Sequence, residues 1–407
     1  MSGALSHLRV LDLSRVLAGP WCGQLFADLG ADVVKVERPG AGDDTRTWGP
    51  PWMPTADGES SSEAAYFMAA NRNKRSITVD VSHPEGQAIV RGLAADSDVL
   101  LENYKVGGLR QYGLDYESLG ALNPRLVYCS ITGFGQTGPY ASRAGYDFII
   151  QGMGGLMSIT GERDALPGGG PQKVGVAVAD LMTGMYAAVA VLAAIAERER
   201  SGKGQHVDMA LLDTQVAMTA NMAMNYLASG KPPGRAGNAH PNIVPYQTFE
   251  ASDGHVIVAV GNDGQFRKLC QAAGCEALAD DPRFATNPAR VKHRDALVPL
   301  LAQRIRLQPA RHWADALESA GVPCGPINDI GQAFADPQVQ ARGMRVDLPH
   351  PAAGTVALVA SPMRLSRTPP QYRRAPPTLG QHTDEVLTER LGYDKTRIAA
   401  LRAAGII

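Results

Sequence analysis

The first 37 residues of the chain alternate a strand, a helix and a second strand. Leu8–Leu13 and Ala31–Glu37 are short and mainly apolar, and Trp21–Gly30 between them places Leu25 and Leu29 at helical spacing. A strand, a helix and a strand within about 30 residues form a βαβ unit, which joins two parallel strands by a right-handed crossover. The pattern therefore predicts an α/β fold with a parallel sheet.

Three further strands are predicted before residue 135, at 74–80, 98–102 and 124–131. Ligands of open α/β sheets bind at the carboxyl ends of the strands. We therefore expect one crevice to be lined by the loops that follow the strands, which are Arg15–Pro20, Arg38–Gly40, Asn103–Gly108 and Thr132–Pro139.

The composition and the secondary-structure pattern of the chain change after residue 225. A segment rich in Gly, Pro and basic residues is followed by a hairpin pattern with a turn at Asp253-Gly254. We expect a large Rossmann-like α/β domain with a smaller α+β domain inserted into it. The predicted bounds are 1–225 for the large domain, 226–244 for a linker, 245–330 for the small domain, and 331–407 for a return segment with C-terminal helices, of which 335–407 completes the large domain.

Charge and cysteine content exclude several classes of protein. Lys and Arg total 39 against 40 Asp and Glu, for a net charge of −1, which argues against a nucleic-acid partner. The five cysteines are scattered without a CxxC pair, which fits a reducing, cytoplasmic location. No signal-like segment is recognised at the start. The longest apolar run, Met185–Ala196, is shorter than the about 20 residues that span a bilayer, so no membrane partner is expected.

One carboxylate stands inside an apolar stretch. Asp180 follows the segment 174–179, whose members are all apolar except Gly175, and precedes the apolar run from Met185. An ionised Asp in such surroundings is costly unless it is paired, hydrogen-bonded or used for chemistry. Asp180 could be the N-cap of the helix that follows, or a reactive carboxylate held at a helix N-terminus, and the two roles are compatible.

Other catalytic signatures are missing from the sequence. No GxGxxG follows the first strand, no HxH or HExxH occurs among nine dispersed histidines, and there is no GxSxG elbow. Cys129 lies in an apolar strand and is interpreted as a core residue. Neither a resident cofactor nor a metal is expected, and carboxylates and glycine-rich loops are left as the candidates for chemistry.

An ordered set of short motifs runs through the whole chain and resembles family III CoA-transferases, the family of formyl-CoA transferase and carnitine CoA-transferase. Each motif alone is weak, but their order is specific. They are Leu8–Leu13, Val16–Pro20, Gly30–Gly40, Asn71–Ser76, Glu102–Tyr104, Thr132–Pro139, Asp180–Gly184, Gly202–Gly204 and Leu379–Thr383.

The resemblance implies that Asp180 is the nucleophile and that CoA thioesters are substrates. The carboxylate would form first a mixed anhydride with the donor acyl group and then an aspartyl-CoA thioester. The resemblance also implies an interlocked homodimer. Contacts with CoA are implied for Val16, Arg38, Val79, Asn103, Tyr104, Lys105 and Arg110.

Two segments, Ala41–Pro51 and Gly237–Pro241, are similar to the succinate–hydroxymethylglutarate (glutarate) branch of the family. This similarity implies transfer of CoA from a donor such as succinyl-CoA to a dicarboxylic acid such as glutarate or hydroxymethylglutarate. A second carboxylate needs a cationic partner, for which Arg46 and His240 are our candidates. Gly237 and Asn238 are candidates for backbone stabilisation of an oxyanion.

At two positions the sequence differs from related enzymes in a way that bears on the substrate and the reaction. Leu17 stands where formyl-CoA transferases have a glutamine that helps to hold oxalate, which makes an oxalate or formyl substrate doubtful. Tyr146 stands where the related α-methylacyl-CoA racemases carry a catalytic histidine, which argues against racemisation. In the transferases a tyrosine at this position borders the acyl site, so the resemblance implies that Tyr146 contacts the substrate. A racemase-like enzyme and a non-catalytic CoA-binding protein remain the alternatives.

Overall fold

The structure is a computed structural model and describes residues 3–407. Strands and helices are numbered separately in chain order. The strands are β1 (Arg9–Asp12), β2 (Asp32–Glu37), β3 (Trp52–Pro54), β4 (Ser60–Ala64), β5 (Arg75–Thr78), β6 (Val99–Glu102), β7 (Val127–Thr132), β8 (His206–Ala210), β9 (Tyr246–Ala251), β10 (Gly254–Ala259), β11 (Cys324–Pro326), β12 (Arg345–His350) and β13 (Gly354–Val359).

The helices are α1 (Ala18–Asp28), α2 (Ala65–Met68), α3 (Pro84–Ala95), α4 (Tyr116–Leu122), α5 (Asp147–Met153), α6 (Leu156–Ile159), α7 (Val178–Ser201), α8 (Leu211–Met218), α9 (Ala220–Ser229), α10 (Asp263–Ala272), α11 (Ala277–Asp280), α12 (Asn287–Lys292), α13 (Arg294–Ile305), α14 (Ala310–Ser319), α15 (Ile330–Ala335), α16 (Pro337–Ala341), α17 (Thr383–Leu391) and α18 (Lys395–Ala403).

Six strands form one sheet in the order β5-β2-β1-β6-β7-β8. Every neighbouring pair is parallel, with Val10 opposite Val33 and Leu11 opposite Leu100. The predicted α/β fold with a parallel sheet is therefore confirmed. The chain builds the sheet outward from β1 in one direction and then from β6 in the other. This reversal places a topological switch point between β1 and β6, where doubly wound sheets bind their ligands.

Helices cover both faces of this sheet. Val10 points to the face packed by α1 and α7, where it shares a core with Phe26 and Val191. Its neighbour Leu11 points to the other face, in a core shared with residues of α3, α17 and α18, including Leu401. Successive strand residues alternate between faces, so an apolar strand contributes to both cores. This explains why the sheet strands read as nearly continuous apolar runs.

Helix α7 extends beyond the apolar run Met185–Ala196 at both ends. It spans 24 residues, Val178–Ser201, and is long and apolar enough to cross a membrane by length and composition. Ala187, Val191 and Ile195 pack into the core beside α1, which is the packing of a core helix.

The chain divides into two compact units. Among the described residues, the first contains 3–156, 174–224 and 338–407, and the second contains 157–173 and 225–337. In the second unit β11, β10 and β9 form an antiparallel sheet, with a core that includes Phe266, Phe284 and Trp313. The hairpin predicted around Asp253-Gly254 is present as β9 and β10.

Several local features were not predicted from the sequence. The segment 41–63 holds a short 3₁₀ helix at Asp44–Thr47 and the β3–β4 pair. The segment 157–173, which the sequence placed in the large domain, belongs to the second unit. Strand β13 pairs with β12, a strand that was not predicted. The sequences of these short elements have no strong periodicity, so their secondary structure depends on the strands and helices that pack against them.

Candidate active site

Asp180 lies in the first turn of α7, as its third residue. The helix begins at Val178, and the N-cap position is taken by Ala177, whose side chain accepts no hydrogen bond. The N-cap role that the sequence left open for Asp180 is therefore not the one observed. The carboxylate instead lies within the first turn of the helix, where the helix dipole favours negative charge.

Asp147 performs the capping role. Its Oδ1 accepts the backbone N–H of Ala179 at 2.8 Å, although 32 residues separate the two in sequence. Its Oδ2 accepts Nε2 of Gln151 at 2.7 Å, and Oε1 of Gln151 accepts the N–H of Val174 at 2.9 Å. Asp147 and Gln151 of α5 thus hold the start of α7 in place. The sequence pointed to Tyr146 here and missed its neighbour Asp147.

Burial and the negative charge of Asp147 raise the pKa of Asp180 to about 7. Within residues 3–407, Asp180 has neither an ion pair nor a hydrogen bond that would offset burial. The carboxylate is therefore less stabilised than an exposed Asp and titrates near neutral pH. Perturbed pKa values of this kind cluster at functional sites.

A cleft of about 950 Å³ opens beside Asp180 and is called the Asp180 cleft. It is lined from the carboxyl ends of β1, β6 and β7, on both sides of the topological switch point. Six of the residues predicted from the sequence lie in it together: Val16, Asn103, Tyr104, Lys105, Tyr146 and Asp180.

Hydrogen bonds tie the two loops that flank the switch point. The N–H of Arg15 donates to Oδ1 of Asn103 at 2.9 Å, and Nδ2 of Asn103 donates to the carbonyl of Arg15 at 2.7 Å. Oε2 of the buried Glu102 accepts the N–H of Tyr104 at 2.8 Å. The loop after β1 and the loop after β6 are thereby fixed relative to one another before any ligand binds.

Val16 adopts a left-handed backbone conformation, with φ of 70°. This is an unfavourable region for a β-branched residue and is stable only where the surroundings impose it. Its N–H points at the carboxylate of Asp43, 3.2 and 3.3 Å from the two oxygens, and Asp43 pairs with the buried Lys35 at 2.8 Å. Buried charges thus hold Val16 in place, and strain of this kind is characteristic of ligand-binding loops.

Two further cavities adjoin the Asp180 cleft. One, of about 810 Å³, is lined by Arg38 and Val79 and shares Arg15 and Tyr104 with the cleft. The other, of about 680 Å³, is lined by Arg110 and shares Lys105 with it. The seven residues predicted to contact CoA therefore lie in three cavities that share lining residues. Arg110 is exposed and paired with Asp115 and Glu117.

Arg46 is engaged in a contact that the sequence did not predict. Its Nε and one terminal nitrogen each lie 2.8 Å from the carboxylate of Glu37, and the same terminal nitrogen donates to the carbonyl of Pro377. The guanidinium also stacks 3.7 Å above the ring of Phe67. The positive charge of Arg46 is thus largely balanced within the fold, which favours a structural role.

The remaining predicted residues lie in the second unit. Gly237 adopts φ of 59° and donates its N–H to the carbonyl of Gly161 at 3.1 Å. Asn238 lines a polar cavity of that unit. Nδ1 of His240 accepts the N–H of Asn242 at 3.1 Å, and its ring meets Tyr246 edge-on.

Aromatic residues near Asp180 were also missed by sequence reasoning. Burial, Asp180 and Asp147 raise the pKa of Tyr66, so its hydroxyl stays protonated at neutral pH and can donate a hydrogen bond. Its ring packs edge-on against Trp48, with centroids 5.1 Å apart. The only sequence signal was the presence of aromatic residues in and after a long polar segment.

Among residues 3–407, no group of three or more His, Cys, Asp or Glu side chains is arranged to hold a metal ion.

Comparison with known proteins identifies the class. CoA-transferase family III matches residues 5–383, and the chain belongs to this family. It is an enzyme of the transferase class.

The chain is similar over nearly its whole length to several known proteins. The chain is 56% identical over 392 residues to succinate–glutarate CoA-transferase of Agrobacterium fabrum, covering 96% of this chain and 97% of the relative. It is 43% identical over 403 residues to human succinyl-CoA:glutarate CoA-transferase, covering 99% and 90%. The crystal structure of a CAIB/BAIF family protein from Brucella suis matches with a TM-score of 0.84 and 53% identity, covering 96% of this chain and all of that one.

Proposed function

We propose that this chain transfers CoA from succinyl-CoA to glutarate, with Asp180 as the covalent nucleophile. The observation that carries the proposal is the placement of Asp180 in one cleft with Val16, Asn103, Tyr104 and Lys105, at the switch point of the sheet. The names of the relatives that are 56% and 43% identical support the choice of both substrates.

The first half of the reaction moves CoA onto the enzyme. A carboxylate oxygen of Asp180 attacks the thioester carbonyl of succinyl-CoA, the C–S bond breaks, and CoA leaves as a thiolate. The thiolate then attacks the Asp180 carbonyl carbon of the mixed anhydride, and succinate leaves as a carboxylate. Asp180 now carries CoA as a thioester.

The second half repeats these steps in reverse order. A carboxylate of glutarate attacks the aspartyl thioester and displaces CoA thiolate, which forms a second anhydride. The thiolate attacks the glutaryl carbonyl, glutaryl-CoA forms, and the Asp180 carboxylate is regenerated. No net proton is consumed, because carboxylates enter and leave at each stage. The ionised form of Asp180 is therefore the reactive one.

The remaining residues of the cleft have proposed supporting roles. Lys105, Arg38 and Arg110 would neutralise the phosphates of CoA, and Val16, Val79, Asn103 and Tyr104 would contact its adenine and pantetheine parts. Tyr146 would contact the acyl group. Gly237 and Asn238 are proposed to stabilise an oxyanion, and His240 to contact the substrate.

We also propose that two copies of the chain form an interlocked homodimer. Support comes from large apolar side chains that are exposed on α5, α7 and α8, including Phe148, Val189 and Val216. Because α5, α7 and α8 contact one another, exposed apolar side chains grouped on these helices support an interaction surface there. The two-chain mass in solution tests the dimer. If tagged and untagged dimers exchange chains under native conditions, the interlock is contradicted.

A cytoplasmic location is proposed on the basis of the cysteines. All five are free, and three of them are buried. Free buried thiols fit a reducing compartment. Cell fractionation tests this proposal.

The function is tested by comparing the wild type with Asp180→Asn and Glu197→Gln. Glu197 is exposed on the same helix, about 25 Å along its axis from Asp180 at 1.5 Å per residue. Formation of glutaryl-CoA from succinyl-CoA and glutarate should be lost in Asp180→Asn and retained in Glu197→Gln. If Asp180→Asn keeps substantial activity, the nucleophile has been wrongly assigned.

A further inference from the structure

The proposed substrates pose an electrostatic problem that Asp180 cannot solve. Succinyl and glutaryl groups each carry a second carboxylate, which must enter a cleft that already contains the carboxylate of Asp180, with Asp147 close enough to raise its pKa. Removing a further carboxylate from water is costly unless a cation binds it. The cleft should therefore contain a cation for this distal carboxylate.

Three cations line the Asp180 cleft, namely Arg15, Lys105 and Arg143. Arg15 already lies 3.3 Å from the carboxylate of Asp44, and its guanidinium stands 5.3 Å from the centre of the Tyr104 ring. Lys105 also lines the adjoining cavity of Arg110. Arg15, through its contact with Tyr104, and Lys105 thus both lie beside the loop after β6. CoA is proposed to bind at this loop.

Arg143 differs from both in its surroundings. It has no ion pair within residues 3–407, and it is exposed to the cleft. The guanidinium of Arg143 stacks 3.9 Å from the centre of the Tyr140 ring. The backbone N–H of Arg143 donates to the carbonyl of Tyr140 at 2.9 Å. Stacking orients the planar group while leaving its N–H donors at the rim available, which suits bidentate binding of a carboxylate.

Arg143 also lies close to the residues proposed to contact the acyl group. It precedes Tyr146 by three residues, so their Cα atoms are at most about 10 Å apart. Tyr146 and Asp180 line the same cleft. We propose that Arg143 binds the distal carboxylate of the succinyl and glutaryl groups and so determines the preference for dicarboxylic acids. This inference rests on the proposed function and adds the residue that selects the acid.

The test compares two acceptors that differ in one group. Glutarate and pentanoate have the same five-carbon chain, but pentanoate lacks the second carboxylate. With succinyl-CoA as the common donor, the ratio of kcat/KM for glutarate to that for pentanoate cancels effects on CoA binding. Arg143→Ala should lower this ratio by about 10- to 100-fold, as expected for loss of a charged hydrogen-bonded pair.

Two further variants control the measurement. Arg143→Lys keeps the charge but loses the planar fork and should give an intermediate ratio. Arg125→Ala removes an exposed arginine near the opposite, amino-terminal end of β7 and should leave the ratio unchanged. If pentanoate is turned over too slowly, its inhibition constant as a competitor of glutarate is compared instead with the KM of glutarate.

An unchanged ratio in Arg143→Ala overturns the inference, whether both acceptors are affected equally or neither is. That result leaves the proposed function intact if Asp180→Asn still abolishes transfer to both acceptors. Failure of the wild type to form glutaryl-CoA overturns the proposed function itself, so the two failures are distinguishable.

Discussion

Asp147 caps the helix whose first turn carries Asp180. Oδ1 of Asp147 lies 2.8 Å from the backbone nitrogen of Ala179, and the charge of Asp147, together with burial, raises the pKa of Asp180 to about 7. One carboxylate thus positions the other and also tunes it. The two functions can be separated by mutation, because the cap needs an oxygen acceptor while the tuning needs a negative charge.

The activity of the wild type should depend on pH through Asp180. With a pKa of about 7, roughly a tenth of the carboxylates are ionised at pH 6 and about nine-tenths at pH 8. Because the carboxylate is the nucleophile, kcat/KM should fall as pH decreases through 7. A pH profile between 5.5 and 8.5 checks this, and a flat profile would contradict the account.

Asp147→Asn should shift that profile. The amide keeps an oxygen for the N–H of Ala179 but removes the negative charge, so the pKa of Asp180 should decrease and the profile should move to lower pH. Asp147→Ala, which removes the cap as well, should lower the free energy of unfolding by about 1 kcal/mol. Identical profiles for Asp147→Asn and the wild type would show that the charge of Asp147 does not act on Asp180.

The parallel sheet was predictable because apolar strands, intervening helices and terminal loops are local patterns. Asp180 was conspicuous for a similar reason, as a carboxylate among apolar neighbours. The contact between Asp147 and Ala179 was not predictable, because it forms only when α5 packs against α7, 32 residues apart in the chain. The CoA residues came from family resemblance, and the structure adds that they share adjoining cavities.

The two arginines illustrate the same limit. Arg46 and Arg143 both stand in polar loop segments of the sequence. Only the fold distinguishes them, since it pairs Arg46 with Glu37 and leaves Arg143 lining the cleft. A residue's partners, and hence its free charge, are tertiary properties that a sequence pattern does not contain.

Asp180→Asn should stabilise the folded chain at alkaline pH. The ionised carboxylate is disfavoured in the fold, so this group lowers stability as pH rises from about 4, its usual pKa, to about 7. The neutral amide avoids this cost and should increase the free energy of unfolding at pH 8 by up to about 4 kcal/mol, at about 1.4 kcal/mol per pKa unit. Urea unfolding at pH 8 and pH 5 checks the prediction. A difference between variant and wild type that does not grow with pH would contradict it.

Arg46→Ala should destabilise the fold without changing acid selectivity. Burial disfavours the charge of Glu37, yet Arg46 holds the pKa of that carboxyl below its usual value. Removing Arg46 leaves a buried carboxylate unpaired, which should lower the free energy of unfolding by about 3 kcal/mol. The double variant Glu37→Gln/Arg46→Met should lose less. The glutarate-to-pentanoate ratio of folded Arg46→Ala should match the wild type, and a large drop would indicate a direct role in substrate binding.

The covalent role of Asp180 is tested most directly by intact-protein mass spectrometry. The wild type is mixed with excess succinyl-CoA without an acceptor and quenched in acid. The mass of the intact protein is measured on one portion, and a second portion is digested to locate the adduct. The account predicts a protein whose mass increases by that of CoA less one water, with the adduct on the peptide that contains Asp180, and no adduct on Asp180→Ala. Turnover without any adduct, or the same adduct on Asp180→Ala, would contradict the central claim.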